Sequence, residues 1–272
     1  MKTAWGLLNV VQLLLMALWT MGWISLALLL RVVTFNPDFP LLLARRAWAP
    51  GVLWLAGARL RVEPLPELPA PCIFVMNHQS TLDICCAFAA LPCNLRFVAK
   101  HTLARVPFLG WFMRATGMVF INRESRFQAV QALRRAGEAI RSGKSILMYP
   151  EGTRARGDFS VQPFKRGPFA LAVEARVPVV PVGVVGAEEQ APALANLRPV
   201  ARALGFPAFP VTPTLLPVPL PSRYHILFGE PLRFNGRPDD DDGVLERKVQ
   251  QVKAAIRGLL ERGLAERTSV YL

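Results

Sequence analysis

The sequence predicts an α/β fold: helices layered on a mixed, largely parallel sheet, preceded by N-terminal membrane-associated helices. Three observations carry this reading. Short apolar runs of strand length alternate with helical stretches through the middle of the chain. Residues 3–30 contain no Asp, Glu, Lys or Arg. The 272 residues suffice for one large domain with appendages.

The charge-free stretch of 28 residues would make a helix roughly 42 Å long at about 1.5 Å per residue. A bilayer core needs only about 20 residues. The segment can span with tilt, or bend at Gly22 and stay in one leaflet. It is too long for a cleaved signal peptide, and its small-x-small triplet Ser25-Leu26-Ala27 runs on into more leucine. A retained anchor is the expectation. Residues 39–57 form a second apolar stretch, interrupted by Arg45, Arg46 and Pro50. It reads as an interfacial helix with its arginines toward headgroups. Lys2 lies before the first segment, and Arg31, Arg45, Arg46, Arg59 and Arg61 lie after it. If the segment spans once, this bias puts the following domain on the cytosolic face of the inner or plasma membrane.

Residues 1–60 are therefore assigned to membrane-anchoring helices and 61–272 to the α/β domain. Strands are predicted at 72–76, 95–99, 118–121, 145–149 and 179–185, and a final one at 224–228. Residues 125–142 read as a helix opened by the capping box Ser125-Arg126-Phe127-Gln128 and closed at Gly143. Phe127, Val130, Leu133 and Ile140 mark its expected buried stripe. Residues 191–221 hold eight prolines and only two charged side chains, Arg198 and Arg202, and form an apolar insertion. Residues 239–242 are an acidic run suited to a helix start. An amphipathic helix over 241–265 follows, with Leu245, Val249, Val252, Ile256 and Leu259 on its packing face.

Lys and Arg total 32 against 19 Asp and Glu, for a net charge of +13, while 52% of residues are hydrophobic. That combination suits an anionic membrane surface and phosphate-bearing substrates, and argues against nucleic acid as a partner. The four cysteines, Cys72, Cys85, Cys86 and Cys93, form no C-x-x-C pair. With His78 and His101 they match no common zinc spacing, so no metal is expected. They read as small buried apolar residues.

The chemistry centres on Asn77-His78-Gln79-Ser80-Thr81-Leu82-Asp83, which follows the first apolar strand. An imidazole with its ordinary pKa near 6.5 can take a proton from a hydroxyl at neutral pH. Asp83 is the candidate partner for the other ring nitrogen. Five positions along a continuous helix put two side chains about 140° apart. His78 must then sit in the turn before the helix, with Asp83 in the first turn. Ser80-Thr81-Leu82-Asp83 resembles a capping box that starts the helix at Ser80. Asn77 shapes the turn. Arg123 and Arg154 each follow a strand, where α/β proteins place ligand sites. Two arginines can clamp a phosphate by paired charged hydrogen bonds. Gly152 lets backbone approach a ligand, and Thr153 offers a hydroxyl and an N–H. A Cys85 or Cys86 nucleophile with His78 as base is a rival mechanism, disfavoured by their place inside the helix.

Four blocks occur in order: 77–83, Gly117-Met118-Val119-Phe120-Ile121-Asn122-Arg123, Tyr149-Pro150-Glu151-Gly152-Thr153-Arg154 and Val177-Pro178-Val179-Val180-Pro181-Val182. They resemble the blocks of the phospholipid/glycerol acyltransferases, above all the 1-acyl-sn-glycerol-3-phosphate (lysophosphatidic acid) acyltransferases. The resemblance runs from about residue 72 to 185. It implies an acyl transfer from acyl-CoA or acyl carrier protein to the sn-2 hydroxyl of lysophosphatidic acid, giving phosphatidic acid, with no bound cofactor. It implies His78 and Asp83 as the catalytic pair. Arg123, Glu151, Gly152, Thr153 and Arg154 would bind the glycerol phosphate, with Glu151 holding the arginines or a glycerol hydroxyl. Asn77 is grouped with these substrate-binding residues, and so are Lys100 and Lys165, at positions often basic in the family. Tyr149 stands where the family usually has phenylalanine; the ring is kept and the change should matter little. The fourth block reads as a buried strand shaping the acyl tunnel. His101 and His225 match no block.

Other acceptors, another lyso-lipid or a neutral glyceride, would use the same chemistry. A hydrolase is disfavoured because no Gly-x-Ser-x-Gly elbow is present. A non-enzymatic membrane lipid-binding protein would explain the anchor and the charge but not the ordered blocks.

Overall fold

The fold is built on one seven-stranded sheet. The computed structural model describes residues 2–68, 70–152, 161–186, 222–237 and 241–267, with 195–196, 199 and 210–211. The strands are β1 (Ala58–Val62), β2 (Ile73–Met76), β3 (Leu95–Lys100), β4 (Val119–Ile121), β5 (Ser145–Met148), β6 (Val179–Val185) and β9 (Ser222–Phe228). Two residue pairs, β7 (Ala195–Asn196) and β8 (Pro210–Val211), form a separate antiparallel ladder. The large sheet has the order β1-β9-β6-β2-β5-β3-β4. β6, β2, β5, β3 and β4 pair in parallel, β1 pairs parallel with β9, and β9 meets β6 antiparallel. The mixed, largely parallel sheet is as the sequence predicts.

Its strands β2 and β6 are apolar and buried at every position because both faces are covered. Successive side chains point to opposite faces. Phe74 and Met76 of β2 join Val180, Val182 and Val184 of β6 in one core cluster. Helices α2 (Phe39–Leu43), α3 (Ala49–Leu55), α4 (Asp83–Ala90) and α5 (Leu109–Ala115) close that face, contributing Leu41, Val52, Phe88 and Met113. Ile73 and Val75 point the other way, with Ile146 of β5, beneath α6 (Arg126–Arg141), α7 (Gly167–Ala175) and α8 (Asp242–Ala265). α8 lies close on β6, where a Cβ added at Gly183 would come within 2.9 Å of Leu259 Cβ. Its buried Val249, Val252, Ile256 and Leu259 follow the predicted stripe, while Leu245 is only partly buried.

α1 (Lys2–Thr34) carries the anchor sequence. Residues Val10–Thr34 are long and apolar enough to cross a membrane. Leu14, Leu18, Leu29 and Val32 are exposed, unlike the side chains of a core helix. α1 is tied to the rest by side chains: Gln12 Nε2 donates to Leu55 O at 2.6 Å, Trp19 Nε1 to Trp48 O at 3.1 Å, and Arg31 Nε to Ala115 O at 3.1 Å. At the α1–α2 junction, Asp38 accepts from the fully buried guanidinium of Arg96, which also donates to Asn94 Oδ1 at 2.6 Å.

Four details differ from the expectations. Residues 39–55 are helical through a π-helical turn at Ala44–Trp48, but Leu41, Ala44, Ala49, Val52 and Leu53 are buried in the domain core. Only the outer side, with Trp54 80% exposed and Arg46 exposed, is open to an interface. Arg59 and Arg61, read as juxtamembrane charges, lie on β1, an edge strand the sequence reading missed and the predicted 60/61 boundary cuts. Their alternation with Leu60, which packs on the core, is the pattern of a one-sided strand. In α6 the buried row is Ala132, Ala136, Gly137 and Ile140, whereas Phe127 is 72% exposed and Val130 is exposed. Small residues let the helix sit near the sheet, and that turned the large ones outward. Finally, α4 begins at Asp83, not Ser80. The 191–221 insertion lies almost wholly outside the described residues, as do Asp239 and Asp240.

Candidate active site

The predicted site residues converge because the central strands are parallel and end side by side. β2 leads into Asn77 and His78, β3 into the 3-10 turn after Lys100, β4 into Arg123, and β5 into Glu151 and Gly152. The carboxyl ends of parallel strands are where open α/β sheets place ligands.

Asn77 continues β2 by side chain. Its Nδ2 donates to Val184 O at 3.0 Å and its Oδ1 accepts from Val184 N at 2.8 Å. The amide thus replaces one rung of the β2–β6 ladder and is buried. Asn77 therefore shapes the turn, as the sequence predicts, by turning its amide inward onto β6.

His78 lies in the turn and Asp83 in the first turn of α4, as the spacing requires. His78 Nδ1 is 2.8 Å from Asp83 Oδ2. The same oxygen accepts the backbone N–H of Gln79 at 2.8 Å and of Ser80 at 2.9 Å. The return bond of the capping box is present from Asp83 to Ser80 N, while Ser80 Oγ accepts instead from Leu82 N at 3.2 Å. One fully buried carboxylate thus shapes the loop and holds the ring. The His78 side chain is 18% exposed, so the ring keeps an open edge. With Nδ1 on Asp83, Nε2 is the nitrogen left for a substrate.

Among the described residues, Glu151 holds backbone N–H groups. Its Oε1 accepts from His78 N at 3.1 Å and its Oε2 from Gln162 N at 3.2 Å. Burial, only partly offset by these N–H bonds, pushes its carboxyl up to about 7. It fastens the His78 turn to the segment after residue 160, and among the described residues no arginine pairs with it. Arg123 donates to Gly152 O, so the β4 and β5 ends are joined at the glycine. Lys165 N donates to Pro150 O at 2.8 Å, which brings its exposed side chain to the same end. Lys100 is half-buried at the end of β3. Thr153 and Arg154 lie outside the described residues. Ser125 caps α6 as predicted, accepting from Gln128 N at 3.3 Å; the Gln128 amide accepts from Asn122 Nδ2 at 2.9 Å instead of returning to Ser125.

Two contacts escaped the sequence reading. Tyr149 stacks on His78, with ring centroids 4.0 Å apart and planes at 23°. The backbone of Val184 receives Asn77. Only the aromatic residue at the strand end gave a signal, and it was read as a passive substitution.

Cys85 and Cys86 are buried, and burial with the nearby Asp83 charge pushes the Cys85 thiol up to about 12 and that of Cys86 well up. Such thiols are poor nucleophiles. A separate cluster of Glu63, His225 and Glu266 has ligand atoms within 4.8 Å of one another. Arg262 and Arg61 already pair with its two carboxylates, at 2.5 and 3.3 Å, so it reads as an ion-pair network on the β1–β9 edge.

Fold and site together define the class: a layered α/β domain whose histidine–carboxylate pair lies at the carboxyl end of a largely parallel sheet. Residues 59–185 match the family model described as Acyltransferase. Among curated proteins, a chloroplastic 1-acyl-sn-glycerol-3-phosphate acyltransferase of Brassica napus is 38% identical over 125 residues, 46% of this chain and 36% of its own. The enzyme of that name from Saccharomyces cerevisiae is 41% identical over 116 residues, 42% of this chain and 38% of its own. That from Borreliella burgdorferi is 33% identical over 132 residues, 48% of this chain and 52% of its own. The matches thus span about a third to a half of these relatives' lengths. The crystal structure of the Thermotoga maritima 1-acyl-sn-glycerophosphate acyltransferase PlsC superposes with a TM-score of 0.73 at 22% identity, covering 99% of this chain and 100% of that one, and so shares the fold. Over residues 59–185 the chain is thus similar in sequence to the acyltransferase family, and its whole fold is that of PlsC.

Proposed function

We propose that the protein transfers a fatty acyl group from a thioester, acyl-CoA or acyl carrier protein, to the sn-2 hydroxyl of 1-acyl-sn-glycerol-3-phosphate, giving phosphatidic acid. The observation that carries this reading is the 2.8 Å contact between His78 Nδ1 and Asp83 Oδ2 in a turn that leaves the ring's other edge open. The curated relatives bearing that activity in their names support the choice of acceptor.

In this reading His78 Nε2 takes the acceptor's hydroxyl proton as the oxygen attacks the thioester carbonyl. Asp83 holds the ring and balances the imidazolium. The tetrahedral intermediate collapses, the C–S bond breaks, and the thiolate leaves with the proton from His78. Arg123 meets the acceptor phosphate, joined by Arg154, Thr153, Lys100 and Lys165; Gly152 fixes the place of Arg123. Burial of Cys85 and Cys86 favours this direct attack over an acyl-enzyme. No bound cofactor is needed. α1 anchors the protein in a membrane, with the catalytic domain on its cytosolic face, where lipid acceptor and thioester donor meet.

The test is transfer by purified protein in liposomes, using labelled acyl-CoA or acyl carrier protein and a panel of lyso-acceptors, beside His78→Ala. Transfer to 1-acylglycerol-3-phosphate that disappears in the variant supports the proposal. Transfer only to another lyso-lipid moves the acceptor and keeps the mechanism. No transfer from any donor favours a lipid-binding role.

A further inference from the structure

We propose that Tyr149 is a positioning residue for His78: its ring sets the plane of the imidazole, and its hydroxyl completes the hydrogen bonding of Asp83 at Oδ1. The proposal deepens the reading of His78 as the base and rests on it.

Asp83 grips the imidazole only at one edge, through Nδ1. A ring held at one atom can still tilt about that hydrogen bond. The Tyr149 ring covers one face at 4.0 Å, nearly parallel, and removes that freedom. The placement follows from the sheet: β5 pairs with β2 in parallel, with Met148 beside Val75. Tyr149 and His78 therefore leave adjacent strands in the same direction. Two residues on, Glu151 holds the His78 N–H, so the β5 end fixes both the backbone and the ring of the base.

The hydroxyl supplies the second half. Tyr149 Oη and Asp83 Oδ1 are both buried, and neither has a hydrogen-bond partner among the described residues. Buried polar atoms rarely stay unpaired, because water is lost and nothing replaces it. One of these two atoms is a donor and the other a pure acceptor. They belong to the two side chains that contact the same imidazole, one at its face and one at its edge. The Asp83 charge acts on the phenol, and a water bridging Oη to Oδ1 would give both atoms a partner. Burial, and after it the Asp83 charge, pushes the phenol well above its ordinary range, so it remains a donor at any working pH. Phenylalanine would keep the stack and leave Oδ1 unpaired.

A donor on Oδ1 draws charge away from the carboxylate and moderates its pull on the imidazolium. Without it, His78 binds its proton more tightly. Among the described residues, Arg123, Lys100 and Lys165 lie at the same end of the sheet, and others act closer in. Asp83 comes from α4, with the un-ionised thiols of Cys85 and Cys86 behind it. Tyr149 and Glu151 come from the β5 end, and Lys253 of α8 acts on Glu151.

The test compares Tyr149→Phe and Tyr149→Leu with the unaltered full-length protein. One arm measures kcat, both KM values and the pH dependence of kcat/KM for acyl transfer. The other follows carbethoxylation of His78 by diethyl pyrocarbonate against pH, read by peptide mass, with His101 and His225 as internal references. Tyr149→Phe should lower kcat roughly 3- to 10-fold, leave both KM values within about twofold, and move the acid limb and the His78 modification midpoint together to higher pH. Tyr149→Leu should lower kcat further, by roughly tenfold again. An unchanged midpoint and kcat in Tyr149→Phe would remove the hydroxyl from the array, and Tyr149→Leu matching Tyr149→Phe would remove the ring. Absence of transfer in the unaltered protein would sink the proposed activity, while the modification arm would still decide whether Tyr149 sets the basicity of His78.

Discussion

Arg123 lies across Gly152: a methyl group at Gly152 would come within 2.8 Å of a guanidinium nitrogen of Arg123. The glycine also has φ +74°, a conformation that strains any other residue. Gly152→Ala should therefore displace Arg123 and raise the KM for the phosphate-bearing acceptor by about tenfold or more, since a charged hydrogen bond is worth about 1.5–3 kcal/mol. Arg123→Lys should raise the same KM because an ammonium cannot copy the forked contact. Steady-state kinetics at varied acceptor checks both, and an unchanged KM would take Arg123 out of the site.

Asp83→Asn keeps the shape of the side chain and removes its charge. Three donors converge on Oδ2, and an amide can meet them only in one orientation. We expect kcat to fall by about 10²–10⁴, as for loss of a general base or its orienting partner, while sedimentation with liposomes is unaltered. Near-normal turnover would reduce Asp83 to a loop-forming residue.

The raised carboxyl of Glu151 has a consequence for stability. Its native pKa of about 7 exceeds the ordinary 4.5, so the folded state binds its proton more tightly than the unfolded state. That contribution is fully present below about pH 4.5 and is lost as pH rises through about 7. Glu151→Gln removes the titration. Thermal unfolding from pH 4.5 to 7.5 should show a shallower decline for the variant, and identical slopes would refute the assignment.

Arg96 is fully buried, and its charge is met by Asp38 at the α1–α2 junction. Asp38→Ala strands that charge and should cost about 3 kcal/mol or more. Asp38→Ala combined with Arg96→Met should recover much of the loss, because no unpaired charge remains. Unfolding in detergent measures both; equal losses would argue that the pair contributes only through packing.

The sheet was legible because its central strands are buried on both faces and therefore read as unbroken apolar runs. β1 was not, since Arg59 and Arg61 alternate with inward residues and resemble a basic flank. The pairing of His78 with Asp83 followed from helical geometry alone. The role of Glu151 did not, because its partners are backbone N–H groups at His78 and Gln162, and a sequence prints no backbone. Phe127 and Val130 misled for a related reason: hydrophobicity marks what could be buried, whereas the close approach of α6 selected Ala132, Ala136 and Gly137.

The bond between Asn77 and Val184 joins residues 107 positions apart. The turn carrying His78 is written early in the chain, yet the strand that braces it is made much later. His78, Asp83, Tyr149 and Glu151 can all be present before β6 exists to receive Asn77. The histidine turn is fully braced only once β6 pairs with β2, so its geometry depends on a contact between distant parts of the chain.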